Sequence, residues 1–334
     1  MDRRGTDRAT PAQRILNMLF QRMALMTLLT VFAWNTTQAQ VVPGTGIKIN
    51  DVGDDFEDPD WVYIPNWPKA SQNLDGNTRP KLGVSKNNRW YESGYRGQPD
   101  IVRRVPTPPG GLRGSKGSLL LRTRFAGIPE MITRKQQQDD FLANVNGIVG
   151  AIPVQYSPSF VVRVYLPPFD KWEQRTGASF GIRADCEGLM KDGKDRRGLF
   201  GIRLPAKQKI DAYWPGFFIQ YNSKKDPRFD RDSALILVRC DEQGRDLFGP
   251  YIFEPGWWTF GMSFTPDNKV HYYASPGVDR LTKADYITSQ RPYGAKTQKL
   301  VTFFMNVVTM DNGRSWSTPW IIDDPEVYAL RRWW

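Results

Sequence analysis

The stretch Gly256–Gly277, GWWTFGMSFTPDNKVHYYASPG, decides the fold class. Side chains along a strand point to opposite faces in turn. Here Trp258, Phe260, Met262 and Phe264 form an apolar row, while Trp257, Thr259, Gly261 and Ser263 oppose it. The run Thr-Pro-Asp-Asn-Lys from Thr265 to Lys269 supplies turn chemistry, because Pro presets φ and Asp and Asn tolerate tight turns. Val270–Ser275 then runs back, with His271 and Tyr273 off the core face. The reading is an antiparallel β-hairpin with one buried face.

The same texture extends outward in both directions. Short apolar segments separated by turn signals fall at Ser118–Phe125, Phe160–Leu166, Ser179–Cys186, Phe217–Asn222, Ala234–Cys240, Leu300–Thr309 and Trp320–Tyr328. Alternation places Phe180, Ile182, Ala184 and Cys186 inward, with Ser179, Gly181, Arg183 and Asp185 opposite. It places Val301, Phe303, Met305 and Val307 inward, with Phe304 and Asn306 outward. Arg163, Tyr165, Phe218, Gln220 and Arg239 also fall on non-core faces. Lys135–Ala143 alone has helical character, and Leu281–Ser289 reads as a short helical turn. From Val41 to Leu112 the chain is rich in Pro, Gly, Asn and Asp and reads as one strand followed by an ordered loop, 65–109. Trp67, Trp90, Tyr91 and Tyr95 argue against a floppy linker there. The expected fold is therefore all-β: a single antiparallel β-sandwich over residues 40–334, with a long ordered N-terminal loop region and little helix.

Residues 1–39 read as a signal peptide. Arginines precede the apolar run Met23–Trp34, which suits a signal core and is short for a bilayer span. Thr37 and Ala39 fit a small-residue cleavage site, so cleavage is expected after Ala39. The alternative is an uncleaved anchor. No later segment is apolar enough for a membrane span, and the expected location is exported: periplasm, cell surface or medium. Without the leader the chain keeps 41 basic and 33 acidic side chains, a charge of +8 spread along its length. Such an excess suits anionic partners or a plain basic surface. The lack of a basic cluster, together with export, argues against nucleic acid.

Of the two cysteines, Cys186 and Cys240, each ends a strand on its apolar face. In an oxidising compartment they form either a disulfide or a pair of buried thiols. Neither has metal or redox spacing. Phosphate-loop, dinucleotide, H-E-x-x-H and G-x-S-x-G patterns are absent.

Strand number and order, the acidic-aromatic opening Asp54-Asp55-Phe56-Glu57-Asp58 with Trp61, and the close Trp320-Ile321-Ile322-Asp323-Asp324 resemble the concanavalin A-like jelly roll. This superfamily includes laminin-G-like modules, lectins and glucanases. The closing half also resembles exported bacterial proteins of unassigned activity. The resemblance implies that first and last strands pair, and that Asp55, Glu57 and Asp323 hold a structural Ca2+ ion; the alternative is that these acids cap strand ends or pair with Arg and Lys.

The resemblance further implies a groove in which rings stack on sugars and polar groups bond hydroxyls. Arg163, Tyr165, Arg183, Asp185, Gln220, Trp257, His271 and Tyr273 supply that chemistry, and their Arg content favours anionic glycans. The expected function is non-catalytic polysaccharide binding. A hydrolase would need paired carboxylates along a strand; Asp185-Cys-Glu187 comes nearest, but the sequence after it reads as a loop. A lyase would draw on His271, Tyr273, Arg183 and Gln220, His271 being the only histidine, although Val-His-Tyr-Tyr also reads as a sheet strand with an exposed His. A third reading is an envelope interaction module using Arg89-Trp90-Tyr91-Glu92 and Tyr95-Arg96.

Overall fold

A computed structural model of the chain describes residues 40–192, 196–197, 203–204 and 207–332. The signal-peptide reading of residues 1–39 lies outside these. In chain order the strands are β1 (Ile47–Gly53), β2 (Tyr63–Ile64), β3 (Val84–Ser85), β4 (Trp90–Glu92), β5 (Ile101–Pro106), β6 (Gly117–Arg122), β7 (Gln137–Ala143), β8 (Ile152–Pro153), β9 (Ser159–Leu166) and β10 (Gly177–Asp192). They continue with β11 (Arg196–Arg197), β12 (Arg203–Leu204), β13 (Lys207–Tyr213), β14 (Gly216–Asn222), β15 (Ser233–Arg239), β16 (Leu247–Ile252), β17 (Gly256–Phe264), β18 (Val270–Pro276), β19 (Tyr286–Gln290), β20 (Lys296–Thr309) and β21 (Trp320–Ala329).

Two antiparallel sheets pack face to face as a jelly-roll sandwich. The smaller, 8-stranded sheet runs β19-β18-β17-β9-β21-β6-β5, with β1 on β21, so the first and last strands do pair. The larger, 11-stranded sheet runs β16-β15-β14-β10-β20-β7-β4-β3-β2, with β13 beside β10 and β8 beside β20. The opening hairpin is β17–β18 with Phe264 opposite Val270, and its row Trp258, Phe260, Met262 and Phe264 faces the core. Between the sheets, Trp90 stacks on Phe141 at 4.9 Å, Phe160 on Phe303 at 5.0 Å, and Phe180 on Trp320 at 4.8 Å. Each such ring, fully buried, contributes about 1.5–3 kcal/mol of hydrophobic free energy.

Several expectations are corrected. Lys135–Ala143 is not helical: Gln137–Ala143 is strand β7, pairing with β20 and β4. Its inward positions are Asp139, Phe141 and Ala143, and the polar member is neutralised by buried Lys69 at 2.6 Å. Two adjacent aspartates hid this alternation. Val301 is not a core residue, because β20 bulges: Asp185 faces Thr302 but Cys186 faces Leu300, which puts Leu300 in the core instead. The 65–109 stretch is an extension of both sheets, carrying β3 and β4 into the larger and β5 into the smaller. Trp90 and Glu92 are consequently buried, which removes Arg89-Trp90-Tyr91-Glu92 as an exposed interface. Of the two alternatives left open for Cys186 and Cys240, the structure has buried, unlinked thiols. Strand β14 lies between their strands, a span of about 10 Å, whereas a disulfide needs Cα atoms within about 7 Å.

Candidate functional site

The sandwich has two outer faces, and the larger sheet leaves a cleft of about 400 Å³ on its own. The floor is laid by alternation. The strand pairing sets Phe304 beside Arg183 and Asn306 beside Gly181, and Asp140 beside Asn306. Two glycines make room for the long side chains. A Cβ on Gly216 would come within 2.5 Å of Arg183 Cγ, and one on Gly181 within 2.3 Å of Asn306 Oδ1. Arg183 thus lies across the sheet, 5.4 Å from the Phe218 ring and 5.6 Å from that of Phe304, and donates to the Trp214 carbonyl from Nε (3.2 Å) and Nη2 (2.5 Å). Arg239 approaches the Phe218 ring at 5.6 Å.

The walls come from loops. The turn Ser93–Gly97 is pinned by Ser93 N–H to the Asp140 carbonyl (3.4 Å) and Asp140 N–H to the Gly97 carbonyl (3.0 Å). It presents Tyr95 and Arg96. Opposite, the end of β13 leads into Trp214, which is 44% exposed.

The floor holds charges that burial has disturbed. Asp140 accepts from Asn306 Nδ2 (2.6 Å) and Gln138 Nε2 (2.8 Å). Burial raises its pKa, and Arg96 and Arg183 oppose that rise. Asp185 is pushed up to about 6, by burial and by the charge of Glu187, with Arg183 pulling the other way. Its Oδ1 is buried without a hydrogen-bond partner among the described residues. Burial lowers Arg183 to about 10, which leaves it charged at neutral pH.

The residues singled out from sequence divide between the two faces. Arg183 and Asp185 line the cleft, and Gln220 lies on the same face, bonded to Asn222 at 3.0 Å. Arg163, Tyr165, Trp257, His271 and Tyr273 lie on the outer face of the smaller sheet, across the sandwich, and cannot share a ligand with the first group. That face is covered. Arg163 is paired with Glu326 at 2.9 Å, and Trp257 sits under the turn at Pro108–Gly111 against Tyr165. Val42 packs on Val161, Tyr273 and Leu281, and Ser263 Oγ donates to the Val41 carbonyl (2.5 Å). His271 is not exposed. It is held between Thr265 Oγ1 (2.7 Å) and Ser289 Oγ (2.6 Å), and burial lowers its pKa. Asp140, Gln138 and Trp214 line the cleft without having been singled out, Tyr95 and Arg96 of the interaction reading also line it, and Asn306 lies buried beneath, bonded to Asp140. Alternation does mark Asn306 as outward; Asp140 was hidden by the helical reading.

Of the carboxylates implied for calcium, Glu57 and Asp323 both lie at Ser115, but the three do not form a ligand cluster. Asp55 accepts from Glu57 N–H, Glu57 from the amides of Lys116 (2.8 Å) and Gly117 (3.1 Å), and Asp323 from Ser115 Oγ (2.9 Å). Asp323 is pushed up to about 7 by burial and by Asp324. Each acid serves a turn or strand end, and no acidic or His/Cys cluster fit for a metal occurs among the described residues. These residues do not fit the ion.

No family model matches the chain, and no curated relative matches it. Solved structures with a similar course exist at low similarity. The carbohydrate esterase of the Shiga toxin-encoding bacteriophage phi24B shares 12% identity over 79% of this chain and 97% of its own, with a TM-score of 0.42. An alginate lyase from Pseudomonas aeruginosa shares 8% over 70% and 85%, with a TM-score of 0.34. Caldicellulosiruptor saccharolyticus CBM27-1, solved with mannohexaose, shares 10% over 80% and 89%, with a TM-score of 0.29.

Proposed function

We propose that the protein is exported and binds a polysaccharide in the cleft on the outer face of the larger sheet. One observation carries this reading: an open cleft floored by a fixed guanidinium, an amide and carboxylates is walled by the rings of Tyr95 and Trp214. Flat rings cover the apolar faces of a sugar, and fixed polar groups bond its hydroxyls. Arg183, with Arg96 and Arg239 near it, favours a chain bearing carboxylate or sulfate, and the basic surface works in the same direction. Export rests on the leader pattern of residues 1–39, and no helix among the described residues is long and apolar enough to cross a membrane.

The test is migration of residues 40–334 in native gels containing alginate, pectin or glucomannan, with and without added salt. Retardation by one glycan that Arg183→Ala abolishes is the expected result. Salt-sensitive retardation by every polyanion, or none by any glycan, overturns the reading.

A second reading, hydrolysis in the same cleft, has its own observation. The segment after Cys186 is not a loop: β10 runs unbroken to Asp192 and sets Asp185 and Glu187 on one face, about 7 Å apart along the strand. Retaining or inverting glycosidases hold carboxyl pairs about 5–9.5 Å apart, with one acid raised in pKa as Asp185 is. Asp140 does not fit as that partner. It lies two strands and four positions from Asp185, about 16 Å between Cα atoms. Release of reducing ends from the retarding glycan, lost in both Asp185→Asn and Glu187→Gln, would establish hydrolysis; no release leaves a binding protein.

A further inference from the structure

The outer face of the larger sheet does not end at the cleft. Its rows continue across β14 and β15 to the edge strand β16: Gly181, Phe218, Leu237 and Phe248 are neighbours in one row, and Gln220, Leu235 and Tyr251 in the next. Phe218, Leu235 and Leu237 pack together on this outer side as a small buried cluster, separate from the main core. At the edge the rings stand in the open. Phe248 is 80% exposed, Tyr251 52% and Phe253 48%. The rings of Tyr251 and Phe253 lie within 6° of parallel at 5.8 Å, and the Arg231 guanidinium caps Phe253 at 3.9 Å. Apolar groups of this size are seldom left exposed in one place without a role.

A second copy of the chain adding to this edge is an unsuitable occupant. Strand β16 carries a bulge, with Gly249 and Pro250 together opposite Ile236, and Pro250 has no N–H to donate. Both features block strand addition. The edge lies three strand spacings from Arg183, about 14 Å, in the same rows of the sheet.

Resting on the polysaccharide reading of the cleft, we infer that Tyr251, Phe253 and Phe248, with Arg231, form a second, stacking subsite for the same glycan chain. The protein then engages a run of several sugars lying across the strands, and the platform contributes only when a chain is long enough to reach it. Linking two weak contacts in this way raises affinity steeply with ligand length.

The test uses three-unit and ten-unit oligosaccharides of the glycan that retards the wild-type protein, measured by calorimetry. Wild type should bind the longer one at least tenfold more tightly, and Tyr251→Ala/Phe253→Ala should collapse that ratio about tenfold. Thermal melting checks that this surface variant is folded. A ratio unchanged in the double variant overturns the platform while leaving the cleft intact. A wild-type protein retarded by no glycan removes both readings together. A dimer in sedimentation velocity that Phe248→Asp dissociates would assign the platform to a second copy and likewise overturn it.

Discussion

On the outer face of the smaller sheet, Arg163 is paired with Glu326 and His271 is clasped by two hydroxyls beneath covering segments. On the outer face of the larger sheet, Arg183 lies half-buried between two phenylalanine rings on the cleft floor, with Asp140 and Asp185 beside it. The inventories are alike: guanidinium, carboxylate, aromatic ring. What separates them is cover. Val41–Gly44 and the turn at Pro108–Gly111 lie across one face, while the other keeps a cleft between the Ser93–Gly97 turn and Trp214. Residue type in an outward position therefore identifies candidates, and the path of connecting segments decides which remain accessible.

The largest effect expected from this comparison is on the covered face. Trp257→Ala should cost about 3–5 kcal/mol in urea unfolding, because the ring is packed on both sides. If the ring were instead a sugar platform, the loss would fall on glycan retardation with stability nearly unchanged. Next, Gly261→Val should cost about 1–3 kcal/mol and loosen Val41–Gly44, since a Cβ there would come within 2.6 Å of Leu281 and 2.7 Å of Pro43. Faster hydrogen exchange at Gly44, with cleft amides unchanged, is the accompanying observation.

On the open face, Arg183→Ala should weaken glycan binding about tenfold, roughly 1.4 kcal/mol, with a smaller change in stability. Equal loss in both would make Arg183 a packing residue. The smallest effect concerns pH. Burial raises Asp185 to about 6, so the folded protein holds this proton more firmly than the unfolded chain does. That contribution is fully present below the ordinary carboxylate range and is lost as pH rises through about 6. Asp185→Asn should flatten the wild-type decline in stability between about pH 4 and 6 by roughly 1 kcal/mol, after allowance for partial exposure. An unchanged slope would place that carboxylate in ordinary solvent.

The sandwich was legible because its strands keep period two over long runs: Trp257–Phe264 and Phe217–Asn222 face in the structure as their alternation implies. Departures came where a local feature broke the period. The bulge in β20 moved Val301, and a buried ion pair let Asp139 point inward. Part of the site was also readable, since Arg183, Asp185 and Phe304 follow from alternation alone. Sheet membership was not. Which strands join which sheet depends on pairings far apart in sequence, such as β9 with β21, and no periodicity within a strand reports its partner. Trp257 and His271 were thus grouped with Arg183 although the whole core lies between them.

The glycine floor under Arg183 and Asn306 has a consequence for engineering. Gly181 and Gly216 leave no side chain to trim and no space for one to be added, so the depth of the cleft is fixed by backbone. Any redesign of its selectivity has to be carried out from the rim, at Tyr95 and Trp214, where a change of residue meets solvent before it meets the sheet.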